Sequence, residues 1–316
     1  MNIKNLLLNS LTVLTLTLTL AACGGDDDDP FAPVNPVNPG GTQPSDGSNN
    51  TNRNSTTTTS EAWRLEFPKL KGGNNLVIVH TAPMPTKADV NYSVEWDISK
   101  KSQRWSCYQM HASNSVSNTK RYSSTDNQYP QDPDLPTQYR LSSDPFWGTG
   151  YDHGHICPSA DRLCSSEANY QTFFLTNMQP QVNSFNAGIW EKMEGQVRTW
   201  NRGNFRDTLY VCKGGTIDSE ENIIRYLGSG ANKIPVPKYF FMAILCKNSE
   251  GYKALGFWVE HDGGISSTTP LGDYVVNLRE LEEKTGIDFF CNLPDNVEKQ
   301  VETLPVDNVK RAWGLN

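Results

Sequence analysis

The sequence predicts an α+β fold with a mainly antiparallel sheet core. Six runs of β-branched and aromatic residues recur between positions 76 and 259, turn residues separate them, and two stretches carry helical periodicity instead. The first strands are Leu76–His80, Tyr92–Trp96 and Arg104–Tyr108. Thr208–Cys212, Tyr239–Leu245 and Lys253–Val259 read as central strands, with Gly214-Gly215 and Gly263-Gly264 as turns. One helix is expected from Ala187 to Trp200. A second is expected from Tyr274 to Thr285, where Val275, Val276, Leu278 and Leu281 set an apolar face that Gly286 closes.

The chain begins differently. After Lys4 an apolar, threonine-rich run extends from Leu6 to Ala22 and ends in Leu20-Ala21-Ala22-Cys23. That pattern matches a lipobox, so residues 1–22 are expected to be a lipoprotein signal peptide and Cys23 the lipidated residue. Acylated Cys23 would hold the protein to a membrane. The Asp26–Asp29 run that follows resembles a surface-export signal of some Gram-negative lipoproteins, and reads equally as a solvated spacer. The expected location is the outer membrane, facing the periplasm or the cell surface. Residues 23–60 are rich in Pro, Asn, Gly, Ser and Thr and cannot bury enough apolar surface to offset their ordering entropy, so they read as a flexible stalk. No repeat or second linker interrupts residues 61–316, which form one domain.

The net charge is -7 over 316 residues, and outside positions 1–60 the balance is 26 basic against 30 acidic side chains. A protein that coats nucleic acid would be basic, so the composition argues against a passive binder more than against an enzyme, which needs only a locally positive cleft. Besides Cys23 there are six cysteines, Cys107, Cys157, Cys164, Cys212, Cys246 and Cys291; an even number in an exported chain suggests disulfides.

Candidate chemistry concentrates in Asp152-His153-Gly154-His155, in a chain with five histidines. A histidine near its ordinary pKa can take a proton from water, so His155 is a candidate general base; His153-Gly154-His155 could equally be a metal pair or incidental. Thirty-one residues after His155 comes Asn186, whose position at a helix start suggests an N-cap and whose amide oxygen could hold Mg²⁺. On one helix, positions 186, 190, 194 and 198 would share a face, bringing Glu194 and Arg198 beside Asn186.

Three segments taken together resemble the DNA/RNA non-specific endonuclease family (endonuclease G-like), within the ββα-metal, or His-Me finger, superfamily. They are Asp152-His153-Gly154-His155, Asn177-Met178-Gln179-Pro180-Gln181 and Asn186-Ala187-Gly188-Ile189-Trp190, followed by Glu194 and Arg198. The family signature reads Asp-Arg-Gly-His, Asn-x-x-Pro-Gln, Asn-x-Gly-x-Trp. The resemblance implies hydrolysis of phosphodiester bonds in DNA and RNA with little sequence preference. It implies His155 as general base, Asn186 as the sole direct protein ligand of one Mg²⁺ (or Mn²⁺ or another divalent cation), Glu194 as a carboxylate holding the ion's water, and Arg198 as a phosphate contact. It further implies that Asn177 orients His155 and that Asp152 has a structural or electrostatic role. Arg121 corresponds to an upstream substrate-binding arginine.

The sequence departs from the family at His153, where arginine is usual. Histidine is mostly neutral at pH 7, so weaker or more pH-dependent substrate binding is expected. Two other function classes remain. A His-x-His zinc hydrolase would need a third ligand, and His80, His111 and His261 lie at no recognisable ligand spacing. A surface lipoprotein that reuses the fold to bind a partner would not need base, amide, carboxylate and cation together.

Overall fold

The structure, a computed structural model, describes residues 49–261, 264 and 268–316. Cys23, the leader and most of the expected stalk lie outside these residues, as does Gly263 of the expected Gly263-Gly264 turn. Eleven strands are formed by the described residues: β1 Asn75–Pro83, β2 Ala88–Asp97, β3 Ser102–His111, β4 Tyr151–His155, β5 Met178–Val182, β6 Thr208–Gly215, β7 Ile223–Leu227, β8 Ile234–Pro237, β9 Tyr239–Asn248, β10 Gly251–Glu260 and β11 Val275–Val276. The helices are α1 Ser166–Gln171, α2 Glu191–Trp200, α3 Leu278–Thr285, α4 Asp295–Glu302 and α5 Val306–Trp313, with a π-helical segment at Phe185–Trp190.

Seven strands make the main sheet, in the order β1-β2-β3-β6-β9-β10-β11, and every neighbouring pair is antiparallel. The central strands read as continuous apolar runs because both of their faces are covered. Leu209, Val211, Met242 and Ile244 point to a core shared with Phe185, Trp190, Met193 and Val197 of the π-helix and α2. Their alternates Tyr210, Cys212, Phe241 and Ala243 point to a second core with Leu278, Leu281, Val297 and Val301 of α3 and α4. Trp96, Trp105, Trp190 and Trp313 are all fully buried. Each removes roughly 150–250 Å² from water, which at about 25 cal/mol per Å² contributes on the order of 4–6 kcal/mol.

Several expectations are corrected. Gly214 and Gly215 lie inside β6 rather than in a turn; a Cβ on Gly214 would stand 2.5 Å from the Arg104 carbonyl oxygen, so the glycine permits a close approach of strands. The expected second helix starts late. Val275 and Val276 pair with Phe257 and Gly256 as β11, and α3 begins only after Asn277, whose side chain caps it; Gly286, with φ of 68°, ends it as predicted. All six cysteines among the described residues are buried free thiols, including Cys107 and Cys212, which face each other across β3 and β6. They fill small core positions, and burial pushes the thiols of Cys157 and Cys246 up to about 12, so they are inert as thiolates.

The folded contacts also start before Glu61. Asn50 donates to the Cys291 carbonyl at 2.9 Å, the Thr51 amide donates to Asp295 at 2.8 Å, and Asn52 Nδ2 reaches Asp288 at 3.1 Å and Glu298 at 3.0 Å. Asparagine side chains supply the partners that apolar residues would otherwise provide, which is why composition alone marks this segment as stalk.

Candidate active site

β4 and β5 form a separate two-stranded antiparallel sheet, pairing His155 with Met178 and Asp152 with Gln181. The chain then enters the π-helix and α2, which completes a ββα unit on the side of the main sheet that carries Leu209 and Val211. Gly154 faces the Gln181 side chain so closely that a Cβ would lie 2.3 Å from it, which accounts for the glycine between the two histidines. A cavity of about 640 Å³ opens over this unit, lined among others by Arg121, Asp152, His155, Asn186, Glu194 and Arg198.

The helix does not follow the expected α-helical stripe. A π turn, with Gly188 off helical geometry, rotates Trp190 into the core, where its Nε1 donates to the His155 carbonyl at 3.4 Å. The cavity face therefore runs through Asn186, Ala187, Glu191, Glu194 and Arg198. Asn186 lies within the π segment and is not an N-cap. π turns recur at functional sites because they re-aim side chains without ending a helix.

His155 Nε2 is buried and makes no hydrogen bond. The backbone at His153 favours a proton on the ring, an effect smaller than that of burial. The expected near-ordinary pKa is not found. Burial, and then the charge of Arg121, pull the imidazole down to about 3, so the ring is neutral throughout the neutral range.

Asp152 holds Asn186. Its Oδ2 accepts from Asn186 Nδ2 at 3.0 Å and from Asn183 Nδ2 at 2.9 Å. An ionised carboxylate only accepts, so the amide nitrogen must face it and Asn186 Oδ1 must face away. An outward amide oxygen in a polar cavity is a donor that suits a hard divalent cation.

Glu194 sits in a charge network that the motifs do not contain. Oε1 accepts from Lys213 Nζ at 2.8 Å, and Oε2 lies 3.9 Å from Arg198. Burial pushes the Glu194 carboxyl up, while Lys213 and Arg198 pull it down. Lys213 is 1% exposed and its ammonium lies 5.1 Å from the Trp190 ring centroid. Buried Asp161 accepts from Arg198 at 3.1 Å and from the Tyr108 hydroxyl at 2.9 Å, aiming the guanidinium. Lys213 carries a readable signal, because it alternates with Leu209 and Val211 on one core-facing side of β6. Asp161 has no such pattern.

The remaining candidates separate. Arg121 is exposed, lines the cavity and lies 4.8 Å from the Phe173 ring centroid. Asn177 is fully buried and bonds to both the N–H and the carbonyl of Cys157, at 2.9 Å each, and to the Thr172 carbonyl at 2.8 Å. Its effect on His155 thus passes through the backbone after β4. His153 stands between Tyr129 (3.7 Å, 4° between planes) and Phe146 (4.2 Å, 22°), with Nε2 2.7 Å from Asp144. Both ring faces and one nitrogen are engaged in holding the cavity wall.

His80 is not isolated, despite its position in the sequence. Fully buried on β1, it has Asp132 at 3.1 Å from Nε2 and Asp134 at 3.2 Å from Nδ1. Burial alone would depress it, but the two carboxylates raise it to about 9. Among the described residues two groups are compact enough for an ion, His80–Asp132–Asp134 and Glu282–Asp288–Glu302, and neither includes His153 or His155.

A family model for DNA/RNA non-specific endonucleases matches residues 77–296. A nuclease of Syncephalastrum racemosum is 35% identical over 177 residues, 52% of this chain and 55% of that protein. The mitochondrial nuclease EXOG of Xenopus laevis is 29% identical over 214 residues, 65% of this chain and 58% of its own. Human mitochondrial endonuclease G is 26% identical over 168 residues, 52% and 56% respectively. The chain thus spans little more than half the length of these relatives. A chain in the crystal structure of an EndoG/EndoGI complex shares the fold with a TM-score of 0.58 at 21% identity, over 70% of this chain and 89% of that one. With the family model covering both strands and the helix of its ββα unit, the chain belongs to the DNA/RNA non-specific endonuclease family.

Proposed function

We propose that the chain is a divalent-metal-dependent endonuclease that hydrolyses phosphodiester bonds in DNA and RNA. The observation that carries the reading is the buried, unpartnered Nε2 of His155 in a cavity it shares with Asn186, Glu194 and two arginines. A buried acceptor without a partner costs about 1–3 kcal/mol, a cost that a role in proton transfer explains.

Asn186 Oδ1 would hold the cation, with Mg²⁺ the expected ion. When bound, it would supply positive charge against the phosphate and the departing oxygen. Arg121 and Arg198 bind the phosphate, and Asp161 keeps Arg198 in position. His155 takes the proton of the attacking water on Nε2. The phosphate's negative charge also raises the imidazole pKa as substrate arrives, so proton affinity increases when it is needed. Glu194, paired with Lys213, orients water in the cavity. No base edge is needed for any of these contacts, which fits cleavage without sequence preference.

We further propose that the protein is an exported lipoprotein, held to a Gram-negative outer membrane through Cys23. Plasmid and RNA digestion by purified protein, with Mg²⁺ and with EDTA, tests the activity. His155→Ala should retain the fold and lose roughly 10²–10⁴-fold in rate. Near-wild-type turnover in that variant, or undiminished cleavage in EDTA, would reject the mechanism.

A further inference from the structure

We propose that Trp147 is a stacking platform for an unpaired nucleobase beside the scissile phosphate, so that the enzyme favours single-stranded over duplex nucleic acid; this rests on the nuclease reading above. Four large hydrophobic side chains stand exposed among the described residues, Trp63, Val116, Trp147 and Ile224. Trp147 is the most open, at 76%, and the one of the four that lines the cavity holding His155 and Asn186. An indole left in water at the rim of a polar cavity forgoes a large burial term, which a ligand with a flat apolar face would recover.

The loop carrying it is built rather than loose. Asp144 Oδ1 accepts from the Phe146 N–H at 2.9 Å while its Oδ2 contacts His153 Nε2 at 2.7 Å, so one carboxylate ties the turn to β4. The Thr149 hydroxyl and N–H both return to the Phe146 carbonyl, at 2.6 and 3.2 Å. Gly148 and Gly150 have φ of 72° and 82°, a backbone that other residues adopt only under strain. Phe146 faces inward onto His153, and the Trp147 ring stands edge-on to that same imidazole, 6.2 Å away at 68°. Successive residues thus split their roles: Phe146 closes the Tyr129–His153 stack, and Trp147 stands exposed on the cavity lining. Such a platform binds without paying to order a loop.

The ligand class follows from what can reach an indole face. In a duplex both faces of each base are covered by its neighbours, whereas a single strand, a bulge or a frayed end can turn a base onto an aromatic ring. Arg121 and Arg198 on the cavity walls supply the phosphate contacts that such a nucleotide requires. Stacking on any base requires no hydrogen-bond readout, so it selects strand state without selecting sequence.

The test uses the full chain, a short oligothymidylate, its duplex with oligoadenylate, and the same oligothymidylate carrying one abasic position scanned along it. Binding is read in EDTA by tryptophan emission and by anisotropy, and kcat/KM is read with Mg²⁺. Trp147→Ala should lose roughly 5- to 150-fold on the single strand and far less on the duplex, and Trp147→Phe should recover most of the loss. In the wild type, an abasic position next to the cleaved bond should produce a similar loss, and in Trp147→Ala it should add little. Equal losses on single strand and duplex, no loss at all, or additive losses from the variant and the abasic position would overturn the platform while leaving the nuclease reading standing. A wild-type protein that neither cleaves nor binds any of these substrates would overturn both.

Discussion

Asn186 Nδ2 lies 3.0 Å from Asp152 Oδ2, and this bond decides which end of the amide faces the cavity. Asp152→Asn replaces an obligate acceptor with a group that can also donate, so the Asn186 amide can turn over and withdraw its oxygen. Partners that orient a ligand typically contribute 10- to 100-fold in metal affinity or activity. The Mg²⁺ concentration for half-maximal cleavage should therefore rise by about that factor in Asp152→Asn, with kcat at saturating ion less affected. An unchanged Mg²⁺ titration would show that Asp152 does not orient the amide.

Lys213→Met should damage both stability and activity. It leaves Glu194 without its 2.8 Å partner, and breaking one side of a buried pair costs about 3–5 kcal/mol. Adding Glu194→Gln removes the stranded charge, so the double variant should regain much of the lost stability but none of the activity. Denaturant melts of the three variants decide this; a double variant no more stable than Lys213→Met alone would contradict it.

His153 departs from the family arginine, and its surroundings show how the position is used. A guanidinium is planar, stacks on aromatic faces and can pair with Asp144, so His153→Arg should retain the wall formed with Tyr129 and Phe146. His153→Ala leaves a gap between two rings and frees the Asp144 carboxylate. The alanine variant should melt at a lower temperature and lose kcat/KM, while the arginine variant stays close to wild type. An arginine variant that gains kcat/KM well above wild type, with an alanine variant that keeps the wild-type melting temperature, would instead assign position 153 a direct phosphate contact.

A carboxylate cluster sets a pH dependence of stability. Glu282 is pushed up to about 8 by burial and by neighbouring Glu302; Glu298 is pushed up to about 8 by burial, with Asp288 and Glu302 adding to it. Unfolded glutamates titrate near about 4.3, so between those values the folded chain holds protons that the unfolded chain has released. Stability from these groups is therefore greatest at acid pH and declines as pH rises from about 5 to about 8. Glu298→Gln, neutral at every pH, should flatten the decline and melt above the wild type at pH 8. A wild-type Tm that rises across that interval would refute the assignment.

The main sheet was legible because strands covered on both faces, such as Tyr239–Asn248, read as unbroken apolar runs. Val275 and Val276 were misplaced because two valines look alike in a strand and in a helical face; only their pairing with β10 decides. α4 and α5 were not anticipated: each is a short, mixed-polarity helix beginning after a proline, Pro294 and Pro305. Within the site, His155, Asn186, Glu194 and Arg198 could be found because they cluster within a short stretch of chain. Asp161 and Lys213 reach the same cavity residues from other elements, and their partnership exists only after folding. The cysteine count misled for a related reason, since parity says nothing about whether two thiols meet in a geometry that can oxidise.

The early hydrogen bonds of Asn50, Thr51 and Asn52 fall on Cys291, Asp295, Asp288 and Glu298, next to α3 and α4. Those helices cover the face of the main sheet opposite the one on which α2 lies. The sheet therefore stands as a bulkhead between the point where the N-terminal chain joins the fold and the cavity where polymer would enter. Polymer entering the cavity and the contacts of residues 50–52 therefore lie on opposite faces of one sheet, so the two do not compete for the same surface.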